Sequence, residues 1–232
     1  MNQSAYQLIE QYMLDCMPPN DIAHGRDHVY RVLYTALDIA QYEKQVDQNI
    51  LIAACLLHDI GRKEQLENSA LCHAQVGAKK AEQFLLEHGF SSDFSKRVAS
   101  CIRAHRFRSE NPPTTIEEKI LFDADKVDVT GVTGIARTLG YQAQIGEPLY
   151  SVDESGRISD GTGDKVPSFF QEYKFKLEGL YSKFYTQRGR ELAACRQQAA
   201  KDFYNSLLEE VQMPYELGKR ALKAQILEDA EW

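Results

Sequence analysis

The chain has 232 residues, 43% hydrophobic and 26% charged, the composition of an ordinary globular protein. Its formal net charge of -7 argues against tight binding of long nucleic acids, which need a broad basic face. No apolar run reaches the length of a membrane span, so a helical membrane protein is excluded too.

In chain order, Ser4 to Met17 reads as an amphipathic helix, with Tyr6, Ile9, Met13 and Cys16 near helical spacing. Pro18-Pro19-Asn20-Asp21 ends it. A second helix is expected from about Arg26 to Gln45, with an apolar face of Val29, Val32, Leu33, Ala36 and Ala40. A third starts behind a capping Asp47 and runs to Ile60, near Gly61. Ser69 to His88 is a fourth, with His88 as a C-terminal cap before Gly89. Ser91 or Ser92 caps a fifth, ending near His105. Thr114 or Thr115 caps a sixth, with Glu117 and Glu118 in the first turn where the helix dipole favours them. It continues into Asp123-Ala124-Asp125.

Ser151 to Asp164 is polar apart from Val152 and Ile158, and reads as a long functional loop, mobile at a pocket mouth. Helical patterns follow over about Pro167 to Tyr185 and Gln187 to Val211, with a short last helix after Pro214. Alternating strand patterns are nearly absent, so the expected class is all-α, a compact assembly of short helices. The expected organisation is one domain over 1–232. Its core covers about 20–140, followed by the 151–164 loop and C-terminal helices over 167–232 packed on the core. The five cysteines include Cys55 and Cys101 in apolar surroundings and no Cys-x-x-Cys. With no charged-then-apolar signal at Met1-Asn2-Gln3-Ser4, the expectation is a cytoplasmic protein with reduced cysteines.

The chemistry concentrates in Leu56-Leu57-His58-Asp59-Ile60-Gly61-Arg62. A histidine and an aspartate at the end of an apolar run are costly to bury without partners, and a divalent ion would satisfy both. The plain alternative makes His58 a helix cap and leaves Asp59 in solvent. Two further stretches weigh against it: His28, opening the second helix, and the carboxylates Asp123, Asp125 and Asp128 beside apolar residues. A histidine, a His-Asp pair and a late aspartate on three helices can form the shell of one ion, with positions left for water.

That ordered set, with the flanks His28-x-x-Arg31-Val32, LLHDIGR and DADKVDVTGVTGIAR, resembles the HD-domain superfamily of metal-dependent phosphohydrolases, in particular a branch of small stand-alone bacterial HD hydrolases. The similarity covers roughly residues 20 to 210. The resemblance implies a compact multi-helix HD fold with His28, His58, Asp59 and Asp125 as metal ligands. It favours Asp125 over Asp123 because the family's last ligand precedes a basic or polar residue and an apolar one, here Lys126-Val127. Asp123 and Asp128 then orient ligands from behind. His73 and His105 would hold a second ion bridged by Asp59, or contact substrate. The cofactor implied is a divalent ion (Mn, Mg, Fe, Co, Ni or Zn), one per site with two as the alternative.

A bound divalent ion lowers the pKa of water and draws charge from a phosphoryl oxygen. Asp59 and His58 are the expected catalytic pair, with Asp59 also orienting the attacking water. Arg62, Lys63, Arg106 and Lys126 are the expected substrate cations, with Arg103 a further candidate and Arg31 divided between substrate and an internal ion pair. The expected substrate is a small phosphorylated molecule, a nucleotide or related ester or anhydride. No long nucleic acid and no membrane are expected, and a homodimer is compatible. The competing readings are a nucleotide-sensing HD module without turnover and a di-iron HD-fold oxygenase.

Overall fold

A computed structural model describes residues 1–17, 21, 23–106 and 111–228, with backbone alone at 227 and 228. The expected stop at Pro18-Pro19-Asn20 lies outside the described residues. The class is all-α, as expected. The helices are α1 (Gln3–Cys16), α2 (Arg26–Ala40), α3 (Gln48–Leu57), α4 (Arg62–Glu67), α5 (His73–Glu87), α6 (Ser92–Ala104), α7 (Ile116–Val127), α8 (Gly131–Ile145), α9 (Phe169–Glu172) and α10 (Gln187–Glu228). No described helix is long and apolar enough to cross a membrane.

The chain divides into two compact units, Met1–Val129 with Lys183–Ala193, and Thr130–Ser182 with Ala194–Trp232. In the first, α3 is the central element. It is apolar on every side, with Ile50, Leu51, Ala53, Ala54, Cys55, Leu56 and Leu57 all buried. It packs against α1, α2, α5, α6 and α7. A helix apolar all round has to be enclosed in this way. Its start is fixed by Asp47, whose carboxylate accepts from the backbone N–H groups of Asn49 and Ile50. Ser91 caps α6 through Phe94 N–H, and Thr115 with Glu118 forms a reciprocal capping box on α7. His88 is the C-terminal cap of α5, its Nδ1 donating to the Phe84 carbonyl at 2.8 Å.

Two glycines bring α4 and α5 together. A Cβ on Gly61 would lie 2.3 Å from the His73 carbonyl oxygen and 2.7 Å from the Gly77 nitrogen. The turn after His58-Asp59 therefore rests on the first turn of α5 without side chains between. Lys80 of α5 fastens the contact, donating to the Ile60 carbonyl at 3.0 Å and to Glu64 at 2.6 Å.

The second unit differs from the sequence expectation in three places. A helix, α8, fills 131–145, where none was expected. The expected helix over 167–185 breaks up into the single turn α9, a π-helical turn at Tyr173–Leu177 and a 3₁₀ turn at Leu180–Ser182. Packing overrides helical periodicity there, because Phe169, Phe170, Tyr173, Leu177 and Leu180 are all buried, and Tyr173 stacks on Tyr204 at 4.1 Å. Third, α10 does not stop at Pro214 but continues through it. Proline there leaves the Glu210 carbonyl without its helical donor, and both residues are exposed, so water can replace the lost bond.

The 151–164 loop is built from internal hydrogen bonds. Val152 and Ile158 form an antiparallel bridge. Asp153 accepts from the N–H groups of Ser155 and Arg157, and Asp164 accepts from the hydroxyls of Ser151 and Ser159.

Candidate metal centre

His58 and Asp59 follow the last residue of α3, and both are buried. Around them the first unit assembles His28 from the first turn of α2, His73 from the start of α5, His105 just past α6, and Asp125 near the end of α7. These side chains form two groups able to hold an ion, His28 with His58 and Asp125, and Asp59 with His73 and His105. The Asp59 carboxylate lies between them. Its Oδ2 is 3.5 Å from His28 Nε2 and 3.6 Å from His58 Nε2. Its Oδ1 is 3.5 Å from His73 Nε2 and 3.8 Å from His105 Nε2. Asp125 Oδ1 is 3.5 Å from His28 Nε2.

The outer nitrogens of the rings fix the inner ones. His58 Nδ1 meets the Cys55 carbonyl at 2.7 Å, and His105 Nδ1 meets the Ile102 carbonyl at 2.6 Å. His28 Nδ1 meets Asp128 Oδ2 at 2.8 Å, and His73 Nδ1 meets Gln65 Oε1 at 2.7 Å. Each partner atom is an oxygen that accepts, so a proton is assigned to each Nδ1, and a ring in its neutral form turns a bare Nε2 lone pair inward. For three of the rings burial disfavours the charged form: it pushes His58 down, His73 down to about 2 and His105 down to about 4.

Two lone pairs then face each other in each group, His28 with His58 at 3.2 Å and His73 with His105 at 3.3 Å. Neutral rings in these tautomers have no proton to share at those distances. Asp59 Oδ2 is also buried with no hydrogen-bond partner. Inward lone pairs and an orphaned carboxylate oxygen are the donor set of a divalent cation, with hydrogen bonds behind each histidine that orient it. The residues present therefore fit a metal ion.

Cations hold the carboxylates in place. Burial alone would raise the Asp59 carboxyl, but Arg62 at 3.1 Å and the histidines hold it well below the usual range. Asp125 is likewise held down against burial, chiefly by Lys126 at 2.7 Å. Arg31 forks onto Asp128 at 2.7 and 3.0 Å, so it has the internal ion pair of its two expected roles.

Of the expected substrate cations, Arg62 and Lys126 thus bond the carboxylates of the cluster, Lys126 also lying over the Phe122 ring at 4.9 Å. Arg106 donates to Cys72 Sγ at 3.3 Å, while Lys63 and Arg103 are exposed. Asp128 stands behind His28, its Oδ2 2.8 Å from His28 Nδ1. Asp123 has different partners from those expected: its carboxylate accepts from Tyr185 N–H, Thr186 N–H and the Thr186 hydroxyl, which fixes the entry to α10. The backbone donors of that turn reach it first, so it orients no histidine. Gln65 was missed, because a glutamine on a short polar helix carries no sequence signal. Gly77 did carry one, since a glycine inside a helical pattern points to close backbone approach.

Residues 25–130 match the HD domain family. YpgQ of Bacillus subtilis is 26% identical over 207 residues, spanning 88% of this chain and 92% of that protein. A crystal structure of YpgQ in complex with ADP superposes with a TM-score of 0.68 at 23% identity, covering 89% of this chain and 97% of the other. A protein described as a predicted HD superfamily hydrolase, from an uncultured Thermotogales bacterium, gives a TM-score of 0.60 at 28% identity, over 90% of this chain and 99% of its own. The ordered histidines and aspartates of α2, α3 and α7 lie inside the stretch that matches the HD domain family, so the candidate site falls within the part of the chain similar to that family.

Proposed function

We propose that the chain is a metal-dependent phosphohydrolase acting on a small nucleotide or related phosphate ester or anhydride. The observation that carries this reading is Asp59, a buried carboxylate set between two groups of histidine lone pairs with one oxygen orphaned. A bound divalent ion supplies an activated water and a Lewis acid for a phosphoryl oxygen. His28, His58 and Asp125 would hold one ion, His73 and His105 a second, and Asp59 would be shared. The sequence alone favoured one ion, and the division of the donors into two groups supports two.

The charge pattern favours an anionic substrate. Asp59, Asp125 and Asp128 are already matched by Arg62, Lys126 and Arg31. The protein side of the site is thus close to neutral, and the charge of a bound ion is left for the substrate. Arg62 and Lys126 hold ligand carboxylates in this reading. Of the remaining cations, Arg106 adjoins His105 in the chain and is partly buried, and it is taken as the guanidinium for a substrate phosphate. A nucleotide is further supported by the ADP complex of YpgQ.

The test is metal analysis of the purified protein together with a nucleotide panel. Metal-dependent release of phosphate or pyrophosphate is expected. Nucleotide binding without turnover would replace the reading with a sensor, and oxygen consumption without phosphate release would replace it with an oxygenase.

A further inference from the structure

Three of the four inward histidines are fixed from behind by partners that do not yield. His58 and His105 donate to carbonyls of their own helical turns, and His28 donates to a carboxylate that Arg31 also grips. His73 alone among them relies on a neutral side chain, Gln65, on the six-residue α4 that has no buried residue of its own. Gln65 Oε1 also takes a long contact from Arg62 Nη1 at 3.5 Å, and Arg62 Nε donates to Asp59 Oδ1 at 3.1 Å. A polar chain therefore runs from Asp59 through Arg62 and Gln65 to His73, linking two members of one ligand group through α4.

We propose that Gln65 is a positioning residue that sets the affinity of the Asp59–His73–His105 group for its ion, and so makes that group the weaker of the two. The inference rests on the two-ion reading above. Its physical basis is the tautomer. With the amide oxygen accepting from Nδ1, the His73 lone pair lies on Nε2 and faces the cluster. Without that acceptor the proton can move to Nε2 or the ring can turn, and either removes a donor from this group alone. A carboxylate at position 65 would hold the same tautomer more strongly and make the ring nitrogen a better donor.

The experiment is calorimetric titration of Mn²⁺ into metal-stripped wild type, Gln65→Leu and Gln65→Glu, with circular dichroism to check the fold. Wild type is expected to take two ions per chain in two distinguishable steps. Gln65→Leu should weaken the second step by about 10- to 100-fold, the usual effect of removing such a partner, and leave the first unchanged. Gln65→Glu should strengthen the second step. Equal weakening of both steps would assign Gln65 a general structural role and overturn the proposal, as would two unchanged steps. A single ion in wild type would overturn the two-ion reading and this proposal with it, which separates that failure from a failure at Gln65 alone.

Discussion

Replacing Gly61 by alanine isolates how the site is built. The backbone at Gly61, φ -93° and ψ 6°, is open to alanine, so no backbone strain is added. The new Cβ would lie 2.3 Å from the His73 carbonyl oxygen, 2.7 Å from Gly77 N and 3.1 Å from the His73 carbonyl carbon, where ordinary contact begins at 3.4 Å. All three are backbone atoms and cannot swing away, so α4 and α5 must separate by about 1 Å, the difference between 3.4 and 2.3. Overpacking of this kind costs about 1–3 kcal/mol, offset by about 0.4–1 kcal/mol from the stiffer unfolded chain. A net loss of about 1–2 kcal/mol corresponds to a fall in Tm of about 2–8 °C for a chain of this size. Because the clash is with His73 itself, the separation also moves its ring from Asp59, and uptake of a second ion should fall with stability. Thermal denaturation of the metal-stripped protein and Mn²⁺ titration read the two effects. A Gly61→Ala protein as stable as wild type, with unchanged ion binding, would refute the close-contact argument.

Asp59→Ala should abolish metal uptake, measured by elemental analysis, while the far-ultraviolet spectrum stays helical, and retained metal would count against its shared role. Asp123→Ala should do the opposite. It strands three donors at the entry to α10, a loss on the order of 3 kcal/mol in urea denaturation, and should leave metal stoichiometry unchanged. Glu118 predicts a pH effect. Burial opposes ionisation, but hydrogen bonds from Ser100, Thr114 and Thr115 hold its folded pKa below the ordinary 4.5. The sign follows from that direction: its stabilisation is complete above 4.5 and is lost as the pH falls through the folded value. Glu118→Gln should therefore lower stability at neutral pH and flatten the acid limb of the urea midpoint against pH. An unchanged acid limb would remove Glu118 as its cause.

The elements that were legible in the sequence are those with local causes. Asp47, Ser91 and Thr115 are capping residues, and each starts the helix it was expected to start. His28, the His58-Asp59 pair and Asp125 could be named because their order along the chain is itself a signal. What escaped depends on contacts between distant elements. The flanks of Asp125 favoured it over Asp123 as a ligand, but the partners of Asp123 at the entry to α10 come from a turn some sixty residues on and left no local mark. Arg62 and Lys126 escaped for a different, local reason: their charge was visible, but their engagement with carboxylates three and one residues away depends on rotamers. The buried aromatics and leucines between 169 and 180 broke a helical pattern that periodicity alone favoured.

The fixed tautomers also bear on how long the protein survives in a cell. Four histidine nitrogens and a buried carboxylate oxygen packed together are donors that a bound ion would satisfy in the folded chain and not in the opened one. An ion that binds the folded chain but not the unfolded one adds stability by mass action, about 2.7 kcal/mol when its free concentration is one hundred times its Kd. Proteolysis samples the opened fraction, so a difference of that size changes abundance severalfold. Metal supply would thus set how much of this protein is present, before it sets how fast any of it turns over.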